Sequence, residues 1–363
     1  MRASGVSWIF ACVAMLGCEE QKPITHEQPK AVQKPVVTAP TGVQIDSAKL
    51  AMFAALPDSA ESKTNPATED KVGLGRMLWY DSRLSKSQAV SCNSCHGLDT
   101  HGADGKDFSV GDNGKKMGRN TPTIYDAALS FAQFWDGHFE TVEDAVKAIL
   151  LDPAVMGQPD EKHLVDTLKS MPAYVDAFKK AFPDDTEPVT LDNTAKAIGA
   201  FNRKLVTPGK WDQLLKGDKQ ALTDDEKKGF LKFVEVGCPT CHVGPLVGGT
   251  MYQKLGKERP WPNQADKGRS GITKSPSDDM MFKVSSLRDV EHTGPYFHDA
   301  SGKSLTDAVK SMAAHQLAKD LSDDDVKSIV TWLGTLTGTP SSDLVKKPEL
   351  PPSTATTPKP AKK

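Results

Sequence analysis

An all-α fold of two similar domains is what this sequence predicts, and three observations predict it. The pentapeptides Cys92-Asn93-Ser94-Cys95-His96 and Cys238-Pro239-Thr240-Cys241-His242 repeat one Cys-x-x-Cys-His pattern in the two halves of a 363-residue chain. Apolar residues recur at helical spacing before and after each pentapeptide. Pro-rich, apolar-poor stretches at both ends bracket a body of about Ile45 to Gly338, which is room for two domains.

The first 18 residues read as a targeting segment. Arg2 gives a positive start, Val6 to Leu16 is apolar, and Leu16-Gly17-Cys18 closes the run. The run is too short to span a bilayer, which favours a cleaved signal. Gly17 before Cys18 has the form of a lipobox, so Cys18 is the expected lipid-bearing N-terminus of an exported, membrane-tethered protein. Residues 19–44 are rich in Pro, Gln, Lys and Thr and read as a flexible linker. Residues 340–363 carry Pro340, Pro348, Pro351, Pro352, Pro358 and Pro360 and read as a disordered tail.

Between these ends the elements follow in order. Glu69 to Tyr80 is a helix leading into the first pentapeptide. Thr141 caps a helix with Val142, Ala145, Ala148 and Ile149. Leu191 to Leu205 is a helix with Ala195, Ile198 and Phe201 on one face, which closes a first domain spanning 45–206. Val206 to Gln220 joins the halves. In the second domain, spanning 207–339, Thr223-Asp224-Asp225-Glu226 is a capping box ahead of Phe230, Leu231 and Val234. That helix runs into the second pentapeptide. Ser322 then caps a helix with Val326, Ile329, Val330 and Leu333, which Gly338 and Pro340 end. These apolar stripes are core faces.

The cysteines carry the chemistry. Of six, Cys12 lies in the signal and Cys18 is the lipid candidate, so four remain and all four sit in Cys-x-x-Cys-His. Two thiols two residues apart can add across the two vinyl groups of one porphyrin, and the next histidine then lies beneath the iron. A zinc site gives no reason for a histidine directly after each second cysteine. Two covalent haems c are therefore expected, on Cys92, Cys95 and His96 and on Cys238, Cys241 and His242. A net charge of -2, 38% hydrophobic and 25% charged residues give no sign of a nucleic-acid partner.

Further segments resemble the bacterial di-haem cytochrome c peroxidases. They are Leu84-Ser85-Lys86, Gly118-Arg119-Asn120-Thr121-Pro122-Thr123, Gln133-Phe134-Trp135-Asp136-Gly137, Phe282-Lys283-Val284, Leu287-Arg288-Asp289-Val290 and Thr293-Gly294-Pro295-Tyr296-Phe297-His298-Asp299. The resemblance covers nearly all of Ile45 to Gly338. It implies two cytochrome c-like domains and reduction of hydrogen peroxide to water in the periplasm. Electrons from a small carrier, a cytochrome c or a cupredoxin, enter at the C-terminal haem and pass to the N-terminal one. By the same resemblance Met312 ligates the C-terminal iron opposite His242. A thioether there raises the reduction potential. Trp135 stands between the haems, as an electron relay or as packing. Asn120, Thr293 and Pro295 match an inter-domain calcium site of oxygen ligands. A homodimer is compatible with the resemblance.

The departures fall in the peroxide pocket. The family's distal loop histidine is replaced by Asp112, and its distal glutamine and glutamate by Ala145 and Val155. Peroxide cleavage gains about 10²–10⁴-fold from a group that moves a proton between the two oxygens. Asp112 is the expected catalytic replacement, with Glu140, Glu143 and Asp144 on the adjoining segment, and His101 and His138 are stand-in ligand candidates. A non-catalytic electron-transfer or haem-sensing protein is one alternative. A relative of the di-haem enzymes that use peroxide to oxidise another protein is the other, and Met312 argues against it, since those relatives can use tyrosine in its place.

Overall fold

The computed structural model describes residues 42–361, so the signal, Cys18 and most of the 19–44 linker lie outside the described residues. Helix α1 is Ser47–Leu50, capped by Asp46, whose carboxylate accepts from the Ala48 amide. Helix α2, Glu69–Tyr80, starts at Thr68, whose hydroxyl accepts from the Lys71 amide. Acidic Glu69 and Asp70 in its first turn favour the positive end of the helix dipole. The first pentapeptide forms α3, Cys92–Cys95. Then come α4 (Val142–Leu151), α5 (Glu161–Lys169), α6 (Pro172–Ala181) and α7 (Leu191–Asn202). Thr141, Asp160 and Thr190 cap α4, α5 and α7, and Pro172 opens α6.

The second half contains α8 (Lys210–Leu215), α9 (Asp224–Val236), α10 (Ser270–Thr273), α11 (Leu305–Leu317) and α12 (Asp323–Leu333). The Thr223/Glu226 capping box at α9 is formed as the sequence predicts. Gly237, at φ +102°, ends α9 directly before Cys238. That is a left-handed C-cap in which glycine carries no Cβ penalty. A final short helix, α13, is Ser342–Val345.

Each half is built on one crossed helix pair, α2 with α7 and α9 with α12. Both crossings depend on a glycine. A Cβ on Gly75 would overlap the Ala197 carbonyl oxygen, and one on Gly229 would overlap that of Ser328. Leu74, Leu78, Trp79, Ile198 and Phe201 fill the first core. Trp211, Phe230, Phe233, Ile329 and Trp332 fill the second, with the Trp211 and Trp332 rings edge-on at 5.3 Å.

Three expectations need correction. The fold is mostly helical, as expected, but it also holds an antiparallel ribbon. Strand β1, Tyr252–Lys254, pairs with β2, Met281–Lys283, placing Tyr252 opposite Lys283. Three-residue strands carry too few alternations to be read from a sequence.

The second correction concerns the 45–206 and 207–339 boundaries. The start of the body packs on the second half, where Phe53 lies in the second core with Ile45 and Leu50 against it. The Gly244 amide donates to the Met52 carbonyl at 2.9 Å.

The third concerns the 340–363 tail, which is laid along the first half through residue 361 and is not disordered there. Leu344 and Val345 pack on the first core. Arg76 donates to the Lys346 carbonyl at 2.9 Å, Gln88 to that of Pro358 at 2.8 Å, and the Ala361 amide to that of Lys86 at 3.2 Å. An extended Pro-rich strand needs no ladder of its own when side chains of the body satisfy its carbonyls. Each end of the folded chain thus straps the opposite half.

Candidate haem-binding cavity and its surroundings

One continuous cavity of about 990 Å³ reaches both pentapeptides. Pockets for single small ligands run to about 1,000 Å³. Its wall includes Cys92, Cys95 and His96 at one end and Cys238, Cys241 and His242 at the other. These four are the free cysteines among the described residues.

The two ends are built alike. The His96 amide donates to the Cys92 carbonyl at 3.0 Å, and that of His242 to Cys238 at 3.1 Å. His96 Nδ1 lies 3.2 Å from the Gly102 carbonyl oxygen and His242 Nδ1 lies 3.0 Å from that of Val247. A carbonyl only accepts, so each Nδ1 donates and each Nε2 keeps its lone pair. Burial lowers the pKa of both rings and keeps them neutral. A fixed tautomer with a free Nε2 is how a metal-ligating histidine is prepared. Each ring also meets an aromatic from the preceding helix, Trp79 at 6.1 Å and Phe233 at 6.4 Å. Burial in the apolar wall pushes the Cys92 and Cys238 thiols up to about 12. Cavity, thiols and oriented imidazoles together fit a covalent haem at each end.

Met312 lies on α11 and lines the cavity with Ala308 and Val309. It packs against the small cluster of Trp261, Met280 and Phe282, and Trp135 packs against the same cluster. The structure thus brings the two together. Trp135 Nε1 donates to the Asn120 carbonyl at 2.8 Å, and the Trp135 carbonyl accepts from the Lys283 amide at 2.8 Å. Trp135 therefore links segments of both halves. Asn120, Thr293 and Pro295 all line the cavity. Asn120 Nδ2 donates to the Lys106 carbonyl at 3.0 Å.

The acidic residues lie elsewhere than expected. Asp112 does not line the cavity. It is buried, and its carboxylate accepts from the Ser87 amide at 3.0 and 3.1 Å and from the Ser87 hydroxyl. The Asp112 amide donates to the Val155 carbonyl at 2.8 Å. Ala145 and Val155 line the cavity. Glu143 is held by Arg203 at 2.6 and 3.0 Å and by Asn65 at 2.6 Å. Asp144 accepts from Thr141 at 2.6 Å and pairs with Lys147 at 3.0 Å. His101 stacks on His292 at 4.1 Å, away from the cavity, whereas His138 lines it beside Phe139.

Several groups escaped the sequence reading. The Gly102 and Val247 carbonyls carry no side-chain signal. Lys283 lines the cavity and donates to Ser130 Oγ at 3.2 Å, and burial pushes its pKa down to about 8. Arg119, also on the wall, binds Asp136 at 2.5 Å and Asp266 at 2.6 and 2.9 Å. Met117 adds a thioether to the wall beside Gly111.

Residues 69–220 match the family model described as di-haem cytochrome c peroxidase. The chain is 42% identical over 318 residues to the cytochrome c551 peroxidase of Pseudomonas aeruginosa, covering 86% of this chain and 91% of that protein. It is 40% identical over 296 residues to that of Nitrosomonas europaea, covering 81% and 87%. The crystal structure of a MauG-like protein associated with microbial copper homeostasis superposes with a TM-score of 0.70 at 26% identity, covering 81% of this chain and 95% of that one. With the paired pentapeptides on one cavity, these similarities settle the relationship: the chain belongs to the di-haem cytochrome c peroxidase family.

Proposed function

We propose that the protein reduces hydrogen peroxide to water with electrons from a small redox protein. The observation that carries this reading is the single cavity. It reaches both histidines and has Trp135 on its wall, in one cluster with Met312. Cys238, Cys241, His242 and Met312 would hold the haem that receives electrons from the carrier. Cys92, Cys95 and His96 would hold the haem at the peroxide end, with Trp135 on the wall between the two pentapeptides as the relay. Bound haem supplies iron that cycles between oxidation states, and a methionine ligand poises one of the two at higher potential. The overall change consumes two electrons and two protons per peroxide and forms two waters.

The chain's own residues hold and orient. His96 and His242 are fixed through Gly102 and Val247. Lys283 places an ammonium on the wall, which suits the carboxylates of a haem. Asn120 Oδ1 with the carbonyls of Thr293 and Pro295 forms an oxygen-donor set for one calcium ion. Residues from about 54 to 206 carry the peroxide end, and 207–339, with the segment 45–53 packed on it, the electron-entry end. Export to the periplasm with a lipid on Cys18 completes the reading. Among the described residues no helix is long and apolar enough to cross a membrane.

One observation favours a second reading, electron transfer without peroxide turnover. Asp112, Glu143 and Asp144 are all engaged in internal bonds and pairs. A stopped-flow experiment decides between the two. Mature protein carrying two haems by mass is mixed with a reduced cytochrome c and then with hydrogen peroxide. Rapid oxidation of the carrier, dependent on peroxide, is expected. A carrier that stays reduced, with haem spectra unchanged by peroxide, would leave the second reading standing.

A further inference from the structure

Three segments meet where the halves join. Asp126 comes from the first half, Thr207 from the connecting stretch and Asp289 from the second half. All three are at most 2% exposed. Thr207 Oγ1 lies 2.6 Å from Asp126 Oδ2 and 2.6 Å from Asp289 Oδ2. A hydroxyl carries one hydrogen, and an ionised carboxylate carries none. Thr207 can therefore donate to one of the two oxygens only. The other 2.6 Å contact needs a second hydrogen between two oxygens, and a protonated carboxyl is the group that brings it.

The surrounding donors do not remove this need. Asp126 Oδ1 accepts from the Thr207 amide at 3.1 Å, and Asp289 Oδ1 from the Gly338 amide at 3.3 Å. Neither hydrogen points at the Thr207 oxygen. Arg288 adjoins Asp289 in the chain, but its guanidinium is bound to Asp212 at 2.6 and 3.0 Å. His101 Nδ1 stands 3.6 Å from Asp289 Oδ1, beyond hydrogen-bond reach, and its ring stacks on His292, which itself lies 3.6 Å from Glu291. The Tyr125 hydroxyl donates to the Leu98 carbonyl.

We propose that Asp126, Thr207 and Asp289 share one proton at neutral pH and form a buried acid that clamps the two halves together on the wall of the haem cavity. Asp126 lines that cavity. Burial raises its pKa to about 7 and that of Asp289 to about 6, against the opposing pull of the Thr207 bonds. Both folded values lie above the unfolded one of 3.8. The clamp's contribution is therefore complete below about pH 4 and is lost as pH rises through about 6 to 7. Above that range two buried carboxylates face one hydroxyl and repel. Reduction adds negative charge to the cavity that Asp126 borders, so it tightens the hold on the proton.

Infrared spectroscopy of the haem-loaded protein tests the proposal. Wild type at pH 7 is expected to show the C=O stretch of a buried protonated carboxyl. Asp126→Asn and Asp289→Asn each supply a permanent N–H donor at the same place, so the band disappears in both. The melting temperature of wild type falls between about pH 6 and pH 8, while both variants stay level and melt above wild type at pH 8. A wild type without the band at pH 7 overturns the proposal, as does a band that survives in both variants. Should the variants fail to fold, the wild-type band decides alone. It must fade with a midpoint near neutrality, and persistence to pH 9 refutes the assignment.

Discussion

Asp112, expected from its sequence register to serve at the peroxide end, is held by Ser87, and the structure gives it a bracing role that Asp112→Asn measures. The wild-type carboxylate takes the Ser87 amide hydrogen between its two oxygens, at 3.0 and 3.1 Å, and the Ser87 hydroxyl hydrogen on one of them. That ties the segment after Leu84 to the turn that carries Val155 through the Asp112 amide. Asparagine keeps one acceptor oxygen and turns an N–H donor toward the Ser87 amide. Bonds to a charged group contribute about 1.5–3 kcal/mol each and neutral ones about 0.5–1.5, so two weakened bonds cost about 2 kcal/mol. At roughly 2–4 °C per kcal/mol for a domain of this order, the melting temperature falls by about 5 °C. Turnover per folded, haem-loaded molecule changes little. Were Asp112 instead the proton-moving group, turnover would drop by about 10²–10⁴-fold while the melting temperature held. Thermal denaturation and a carrier-oxidation assay on one preparation separate the two. A hundredfold loss of rate with an unmoved melting temperature refutes the bracing role.

Other variants follow from the same contacts. Arg288→Met leaves Asp212 buried without its partner and should cost about 3–5 kcal/mol in urea denaturation. Met312→Leu removes the thioether at the His242 end, so a redox titration should show one midpoint potential falling and the other unchanged. Ending the chain at Gly338 removes the contacts of Leu344, Val345 and residues 346–361. It should speed amide exchange in α2 and leave α9 and α12 protected. His138→Gln removes an imidazole that lines the cavity beside Phe139. Peroxide turnover should fall by about tenfold or more with both haems retained, and an unaltered rate would exclude a part for His138 in turnover.

Five of the longer helices were legible because their signals are local: Thr141, Thr223 and Ser322 each cap the helix that the apolar spacing places after them. The helices Glu161–Lys169, Pro172–Ala181 and Leu305–Leu317 were not read. The exchanged ends were not legible, because composition reports what a segment can bury by itself. Residues 45–53 and 340–361 bury little alone. They are ordered by groups of the opposite half: the Gly244 amide, the Arg76 guanidinium and the Gln88 amide. A Pro-rich stretch has lost much of its freedom before it docks, so a few such bonds suffice to hold it. The same composition that reads as a loose tail also makes a good strap.

The candidate site divides along the same line. Covalent attachment requires its cysteines and histidine side by side in the chain, so both pentapeptides could be read directly. The carbonyls that fix the imidazoles are also near in sequence, but a carbonyl is common to every residue and marks nothing. Ala145 and Val155 lie on the cavity wall. Register in the sequence carries no direction for the side chain of Asp112, because a carboxylate turns toward whatever donors lie nearest, and those belong to Ser87. The same rule explains why the acid at Asp126 and Asp289 went unseen. Each residue alone reads as an ordinary turn carboxylate. Only the joining of the halves over Thr207 gives two carboxyls one hydroxyl to share, and that shortage of hydrogens, more than either residue type, creates the chemistry.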